Sequence, residues 1–139
     1  MESISPATSS PLLPIMLRCR ESRDRLIAAA ESHKVARLAG FTSVRAAQIA
    51  LCAAELASNG LHLDAGGRLT LSVSPDDDAF VLEWWDTRSA EPVDDSAALA
   101  SRDRDITFSA GLLAIRRMAT TVWAETGSVG TLVRVRFAR

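Results

Sequence analysis

The last segment of the chain carries the most constraining pattern in the sequence, a strict alternation of apolar and charged side chains. Val133, Val135 and Phe137 are separated by Arg134 and Arg136. A period of two places successive side chains on opposite faces of an extended chain. The segment is therefore predicted to be a β-strand with its apolar side chains toward a core and its arginines outward, because a one-residue slip would exchange the two sets.

The first part of the domain is predicted to be a short strand followed by a helix. The strand would run from Ile15 to Cys19. Ser22 is a candidate N-cap for an alanine-rich, amphipathic helix from Arg23 to Leu38. Gly40 stands just beyond that helix, where a glycine commonly ends one.

A second helix is predicted from Val44 to about Leu61, with Thr42 or Ser43 as its N-cap. Its alanines permit close packing on a sheet. The apolar positions that mark the helical period are Val44, Ala47, Leu51 and Ala54.

Two hairpins complete the pattern. Leu69, Leu71 and Val73 alternate with polar residues, and an acidic turn at 75–78 separates them from a second strand at Phe80–Trp85. The closing hairpin would pair a strand that begins at 122–125 with the alternating last segment. A third helix is predicted at 111–120, with Leu112, Ile115 and Met118 facing inward.

This order of elements predicts the fold class. Helices and mainly antiparallel strands that each bury one face form an α/β (α+β) two-layer sandwich, with the helices on one face of the sheet. Residues 1–14 contain three prolines and several serines and are predicted to be a flexible leader, and 15–139 a single domain. The polar, acidic segment 87–107 is long for a connection and is typical of a functional lid, which a short helix at 96–100 would interrupt.

Composition excludes several function classes. With 16 basic and 17 acidic residues the formal net charge is -1, so we expect no direct binding to nucleic acid or to an anionic membrane. Lys34 is the only lysine and no glycine-rich loop precedes it, which excludes a P-loop protein. Cys19 and Cys52 have neither zinc-site nor disulfide-scaffold spacing. No signal peptide or membrane span is recognisable, so a cytoplasmic protein is expected.

A carboxylate and a carboxamide lie on one face of the second predicted helix. Glu55 and Asn59 are four residues apart, so one lies a turn above the other in an otherwise apolar helix. Burying them is costly unless a partner satisfies them. They therefore either meet polar neighbours within the fold or line a site.

Other candidate residues stand where elements end. Asp86 follows a strand and can emerge into a cleft. Gly111 begins a helix, where free N–H groups favour a phosphate. Gly130 and Thr131 precede the last strand. Each of these features alone is ordinary turn or cap chemistry.

Taken in order, these features resemble the Bergerat ATP-binding fold of the GHKL superfamily over about residues 15–139. The chain is most similar to the RsbT-like and RsbW-like serine kinases and anti-sigma factors of partner-switching systems. Three segments carry the resemblance: Ala54-Glu-Leu-Ala-Ser-Asn59, Ser109-Ala-Gly-Leu-Leu-Ala-Ile-Arg-Arg-Met118 and Gly130-Thr-Leu-Val-Arg-Val-Arg-Phe137.

The resemblance implies a role for each candidate residue. Asn59 would bind Mg²⁺ through its amide oxygen, and Glu55 would orient or deprotonate the attacking hydroxyl. Asp86 would accept a hydrogen bond from the adenine amino group, supported by Thr131. The remaining contacts to ATP would come from Gly111, Leu112 and Gly130.

The implied activity is ATP-dependent phosphorylation of a serine or threonine in a STAS-domain antagonist protein. A sigma factor or a downstream phosphatase is a further implied partner, and a homodimer an implied assembly. The family's Asp-x-Gly-x-Gly box here has Arg88 and Ala90 in place of its glycines. Two alternatives therefore stay open: a degenerate, non-catalytic GHKL module that binds an antagonist or a sigma factor, and an unrelated α/β domain.

Overall fold

The computed structural model describes residues 14–60, 66–87 and 113–139. The elements in these ranges are β1 (Ile15–Cys19), α1 (Ser22–Leu38), α2 (Ser43–Gly60), β2 (Gly67–Val73), β3 (Phe80–Asp86), β4 (Thr121–Thr126) and β5 (Thr131–Phe137). Residues 113–118 are helical and precede β4. Residues 1–13 of the predicted leader, the predicted helix at 96–100, and nearly all of segment 87–107 lie outside the described residues.

The strands form one antiparallel sheet in the order β1-β2-β3-β5-β4. Helices α1 and α2 pack against each other, and α2 lies on β2 and β3. The chain is thus a two-layer α/β sandwich, as predicted from the sequence. Both predicted hairpins are present, since β2 pairs with β3 and β4 pairs with β5.

Alternation along the strands divides the sheet into a covered face and an open face. The β5 prediction is confirmed: Val133, Val135 and Phe137 are buried, whereas Arg134 is exposed. The same period buries Trp84 and leaves Trp85 half-buried. The large side chains that fill the space between sheet and helices are Phe41, Ile49, Leu56, Leu69, Leu71, Phe80, Leu82, Trp84, Ile115, Val133, Val135 and Phe137.

The start of α1 differs from the prediction. Glu21, and not Ser22, is the N-cap, and it forms a capping box with Asp24. The Asp24 carboxylate accepts hydrogen bonds from the backbone N–H groups of Arg20 (2.8 Å) and Glu21 (2.9 Å), which lower its pKa. These two bonds satisfy backbone donors ahead of the helix, so Ser22 becomes the first helical residue. At the other end, Gly40 has a φ of 94° and stands just beyond the helix, as predicted.

α2 begins as predicted, and the apolar positions that marked its helical period are not the ones that it buries. The Thr42 hydroxyl oxygen accepts the N–H of Arg45 at 3.1 Å, which is an N-cap bond. Val44 and Leu51, two of the positions used to recognise the helical period, are 71% and 59% exposed. The buried positions are instead Ala46, Ile49, Cys52, Ala53, Leu56 and Ala57. The alanine-rich helix is apolar on several sides, so its period alone does not choose the inner face.

Arg45 connects α2 to the end of the helical segment that precedes β4. Its guanidinium donates to the Met118 carbonyl oxygen at 2.5 Å and to the Thr120 hydroxyl at 3.1 Å. The same group lies 5.1 Å from the centre of the Phe137 ring. This fixes the chain where residues 113–118 meet the sheet.

We predict that Ser32→Ala stabilises the protein by about 1 kcal/mol, because a buried hydroxyl without a partner costs folding energy and alanine has the higher helix propensity. Ser32 is fully buried on α1, and its Oγ has no hydrogen-bond partner in the described part of the chain. Urea denaturation measures the change. The reverse substitution at an exposed α1 position, Ala30→Ser, is the propensity control. Destabilisation by Ser32→Ala would show that the Ser32 hydroxyl contributes to folding.

A second prediction concerns alkaline pH. Burial raises the pKa of Cys19 to about 11 and that of Cys52 to about 12. The pKa of a thiol in an unfolded chain is about 8.5. The unfolded state therefore loses these protons first, so the stabilisation is complete below about pH 8.5 and is lost as the pH rises toward 11. We expect the free energy of unfolding to fall by about 3 to 4 kcal/mol between pH 8 and 10.

Urea denaturation at the two pH values checks this expectation. The background is small because the chain has no tyrosine and a single lysine. The double variant Cys19→Ala/Cys52→Ala should show a much weaker pH dependence than the wild type. An equal dependence in both proteins would show that other groups cause it.

Candidate functional site

The candidate residues Glu55, Asn59 and Asp86 belong to two elements that run toward the same end of the sandwich. Phe41 precedes α2 and its ring lies 5.9 Å from that of Phe80, the first residue of β3. From this common start, β3 extends about 20 Å to Asp86 and α2 about 20 Å to Glu55. The connection from Gly60 to Gly67 can span at most about 25 Å. We therefore expect α2 to end on the side of the sheet where β2 begins, opposite Asp86.

Glu55 and Asn59 lie on one side of α2. The helical repeat places them in a single stripe with Arg45, Gln48 and Cys52, at spacings of three and four residues. Arg45 in this stripe contacts Met118 and Thr120. The stripe therefore faces the side of the molecule on which the segment 113–120 returns to the sheet.

Cys52 reports the electrostatic environment of this stripe. Burial is the main cause of its raised pKa, the Arg45 guanidinium acts in the opposite direction, and the Glu55 carboxylate raises it further. Glu55 itself is half-buried. A carboxylate thus lies at the border between the helical layer and solvent, where a reacting group can approach it.

The side-chain amide of Asn59 has an unsatisfied group. Its Nδ2 atom is buried and has no hydrogen-bond partner among the described residues. A buried amide without a partner costs folding energy, and such groups in a native fold call for an explanation, of which an absent ligand is one. Because the two ends of an amide can be exchanged by a rotation, the same side chain can present its oxygen there.

Asp86 ends the central strand and is fully buried, at 0% exposure. In the sheet it lies opposite Gly67 on one side and Thr131 on the other. Its Oδ2 atom accepts a hydrogen bond of 2.7 Å from the indole Nε1–H of Trp84. Asp86 and Trp84 are two residues apart in a strand, so both side chains point into the helical layer.

Gly67 makes room for the Trp84 indole. A Cβ atom at position 67 would overlap the six-membered part of the ring. The indole therefore lies on the bare backbone of β2 and reaches along it to the Asp86 carboxylate. This packing explains why a glycine begins β2, and it makes Trp84 and Gly67 part of the surroundings of Asp86.

Gly130 and Thr131 are also next to Asp86, and both have structural explanations. A Cβ atom at Gly130 would overlap the carbonyl oxygen of Asp86, so the close approach of β5 to β3 requires a glycine. Thr131 is buried, and its hydroxyl donates to the Thr126 hydroxyl at 3.2 Å. The predicted role of this pair in ATP binding stays a prediction.

Element lengths and strand register therefore lead us to expect four of the predicted site residues toward one end of the sandwich. These are Glu55, Asn59, Asp86 and Thr131, with Gly130 beside them. Gly111, Leu112, Arg88 and Ala90 lie outside the described residues. Among those that are described, no group of three or more His, Cys, Asp or Glu side chains is arranged to hold a metal ion. No helix among the described residues is both long enough and apolar enough to cross a membrane.

Sequence reasoning missed Trp84, Gly67 and Arg45. The contact of Trp84 with Asp86 had a signal in the sequence, since residues two apart in a strand share a face. The contact of Trp84 with Gly67 depends on the register between β2 and β3, which no local pattern reveals. Arg45 joins groups more than 70 residues apart.

Comparison with known proteins gives structural similarity but no match in sequence. No protein-family model matches the sequence, and no curated protein sequence matches it. A chain in the crystal structure of the SiaB–SiaC complex from Pseudomonas aeruginosa is similar with a TM-score of 0.63 and 12% sequence identity. The match covers 91% of this chain and 89% of that chain. At this level of identity the similarity shows that the two chains share a fold.

Proposed function

We propose that this protein is a partner-switching regulator that binds Mg²⁺-ATP and phosphorylates a serine or threonine of a STAS-domain antagonist protein. The observation that carries the proposal is the convergence of Glu55, Asn59, Asp86 and Thr131 at one end of the sandwich. Polar groups within or beside an otherwise apolar layer are a common sign of a binding site. The GHKL resemblance assigns a role to each of them.

Asn59 is the residue that fits Mg²⁺. When bound, the cation would neutralise charge on the phosphates of ATP. Mg²⁺ prefers oxygen ligands and keeps several waters, so one amide oxygen from the protein is a sufficient anchor when phosphates supply the rest. The unsatisfied atom of Asn59 is its amide nitrogen, so Mg²⁺ binding would require the rotation that exchanges the two ends of the amide.

Glu55 is placed to act on the hydroxyl of a partner protein. It lies one helical turn from Asn59 on the same stripe, and it is half-buried. A carboxylate in that position can accept the hydroxyl proton and hold the oxygen toward the phosphate. Phosphoryl transfer depends mainly on positioning and charge stabilisation, so few catalytic side chains are needed.

Asp86 would recognise the adenine amino group through its carboxylate. The oxygen that accepts the Trp84 indole N–H is thereby held in a fixed orientation. A carboxylate has up to about four acceptor positions, and an adenine amino group would use one of them. Because Asp86 is fully buried, adenine can reach it only if the side chains that cover it move.

A protein partner is supported by two arguments. The resemblance to partner-switching kinases implies an antagonist protein as substrate. One structural neighbour is a chain of a complex between two proteins, SiaB and SiaC. We therefore place the substrate hydroxyl on a partner protein and expect the complex to form at the end of the sandwich that holds Glu55.

The burial of Asp86 favours a second candidate function, a non-catalytic module that binds an antagonist or a sigma factor. In that case Trp84 would occupy the acceptor that adenine would use. Arg88 and Ala90 stand where the family's Asp-x-Gly-x-Gly box has glycines, which also favours a module that does not bind nucleotide. Nucleotide binding discriminates between the two functions.

We predict that the protein binds ATP in the presence of Mg²⁺ and that Asn59→Ala lowers this affinity at least tenfold, because it removes the proposed metal ligand. Isothermal titration calorimetry with ATP, with and without Mg²⁺, measures the effect. Ser58→Ala, the adjacent position on α2, is the matched control and should bind ATP like the wild type. Loss of the Mg²⁺ effect in Asn59→Ala is the specific result expected.

Two results would contradict the kinase. The first is absence of binding at millimolar ATP in the wild type, which would leave the non-catalytic module. The second is equal ATP affinity in the wild type, Asn59→Ala and Asp86→Asn, which would place any nucleotide elsewhere. Thermal denaturation of each variant shows whether it is folded.

We further predict that Glu55→Gln slows phosphoryl transfer by about 100-fold or more while ATP affinity changes little, because general-base catalysis contributes at this level. Transfer of labelled phosphate from ATP to a STAS-domain protein that forms a complex with this chain is the measurement. Glu31→Gln, an exchange of the same kind on α1, should leave the rate unchanged. An unaltered rate in Glu55→Gln would remove Glu55 from the chemistry.

A further inference from the structure

The open face of the sheet carries a second, basic site, on the side opposite Asp86. Side chains alternate along β1, β2 and β3, so Arg18, Arg68 and Trp85 point away from the helices. These three residues form one row across neighbouring strands, because Arg18 pairs with Arg68 and Arg68 with Trp85. Both arginines are exposed.

The pairing of Arg18 with Arg68 is electrostatically unfavourable. Residues directly opposite in an antiparallel pair have Cβ atoms about 5 Å apart, and like charges at that distance destabilise the sheet. Elsewhere on the sheet, Arg134 is paired with Glu83 (2.6 Å) and Arg136 with Asp77. Two adjacent arginines without such a partner are therefore an exception among the described residues of this surface.

The two arginines belong to an open pocket of about 280 Å³. Arg20, Trp85 and Thr87 also line it, and the backbone of Gly66 and Gly67 completes it. The described residues provide no carboxylate that forms an ion pair with any of the three arginines. Asp24, which is close to Arg20 in sequence, uses its carboxylate to cap backbone N–H groups.

The pocket is built on a rigid base. Gly66 is buried with a φ of 64°, and a Cβ atom there would overlap the Cys19 carbonyl oxygen. The chain between Arg18 and Arg68 is thus held closely together where the two strands meet. The Arg68 guanidinium lies 4.7 Å from the centre of the Trp85 ring, which restricts its position.

We propose that this pocket binds a phosphate-bearing ligand, separately from the nucleotide site on the covered face. Guanidinium groups match phosphate oxygens with paired hydrogen bonds, and several of them around one phosphate neutralise its charge. Binding also removes the repulsion between Arg18 and Arg68. The Thr87 hydroxyl and the Trp85 ring are in position to contact the remainder of the ligand.

The phosphate can come from two sources, a phosphorylated side chain on a protein or a small phosphorylated molecule. The three arginines recognise the group that both share. The experiment therefore uses pyrophosphate for the small molecule and a phosphoserine peptide for the protein, with the unphosphorylated peptide as reference.

Calorimetric titration with pyrophosphate in EDTA tests the proposal. We expect Arg18→Gln and Arg68→Gln each to weaken binding about tenfold or more, because each removes a charged hydrogen-bond donor. Arg134 lies on the same face but is already paired with Glu83. The Arg134→Gln variant should therefore bind pyrophosphate like the wild type. Asn59→Ala should also bind like the wild type, since the proposed nucleotide site is not involved.

Stability without ligand separates binding from folding. Arg18→Gln should raise the melting temperature in phosphate-free, low-salt buffer while it weakens pyrophosphate binding, because relief of repulsion and loss of a ligand contact act in opposite directions. Tighter binding of the phosphoserine peptide than of pyrophosphate would identify the ligand as a phosphorylated protein. Tighter binding of pyrophosphate would identify it as a small phosphorylated molecule. Wild-type affinity for both probes in Arg18→Gln and Arg68→Gln would overturn the proposal.

Discussion

The arrangement of this fold depends on a polar group buried in the central strand. β3 lies between β2 and β5, and its inward side chains end in Asp86, which is fully buried. Burying a carboxyl group is costly unless hydrogen bonds compensate. The Trp84 indole supplies one such bond, and Gly67 and Gly130 allow the neighbouring chain segments to approach closely enough to enclose the pair.

This constraint links the fold to the proposed site. A sheet that is covered on one face directs its buried carboxylate toward the helices, and α2 brings Glu55 and Asn59 to the same end. The Asn59 amide, whose nitrogen has no partner among the described residues, and the enclosed, hydrogen-bonded Asp86 carboxyl group are the polar groups of this proposed site. The opposite face has its own polar chemistry, so the two faces can bind different ligands.

Local patterns predicted much of the fold, while contacts between distant residues were not predictable. The alternation in β5 gave the correct inner face because Val, Phe and Arg differ strongly in polarity. In α2 the alanines made several faces apolar, so the period that included Val44 and Leu51 predicted a helix but not the face that it buries. Glu55, Asn59 and Asp86 were singled out from sequence, whereas the packing of Trp84 on Gly67 required the sheet register.

The most direct test of the account is an NMR titration that follows the indole N–H signals of the tryptophans as Mg²⁺-ATP is added. Trp84 donates to the carboxylate that would recognise adenine, whereas Trp123 lies on the open face, 44% exposed. A Trp84→Phe variant assigns the signal. If adenine binds at Asp86, the Trp84 signal should shift on ATP addition and the Trp123 signal should not. An unchanged Trp84 signal at millimolar ATP would contradict adenine binding at Asp86.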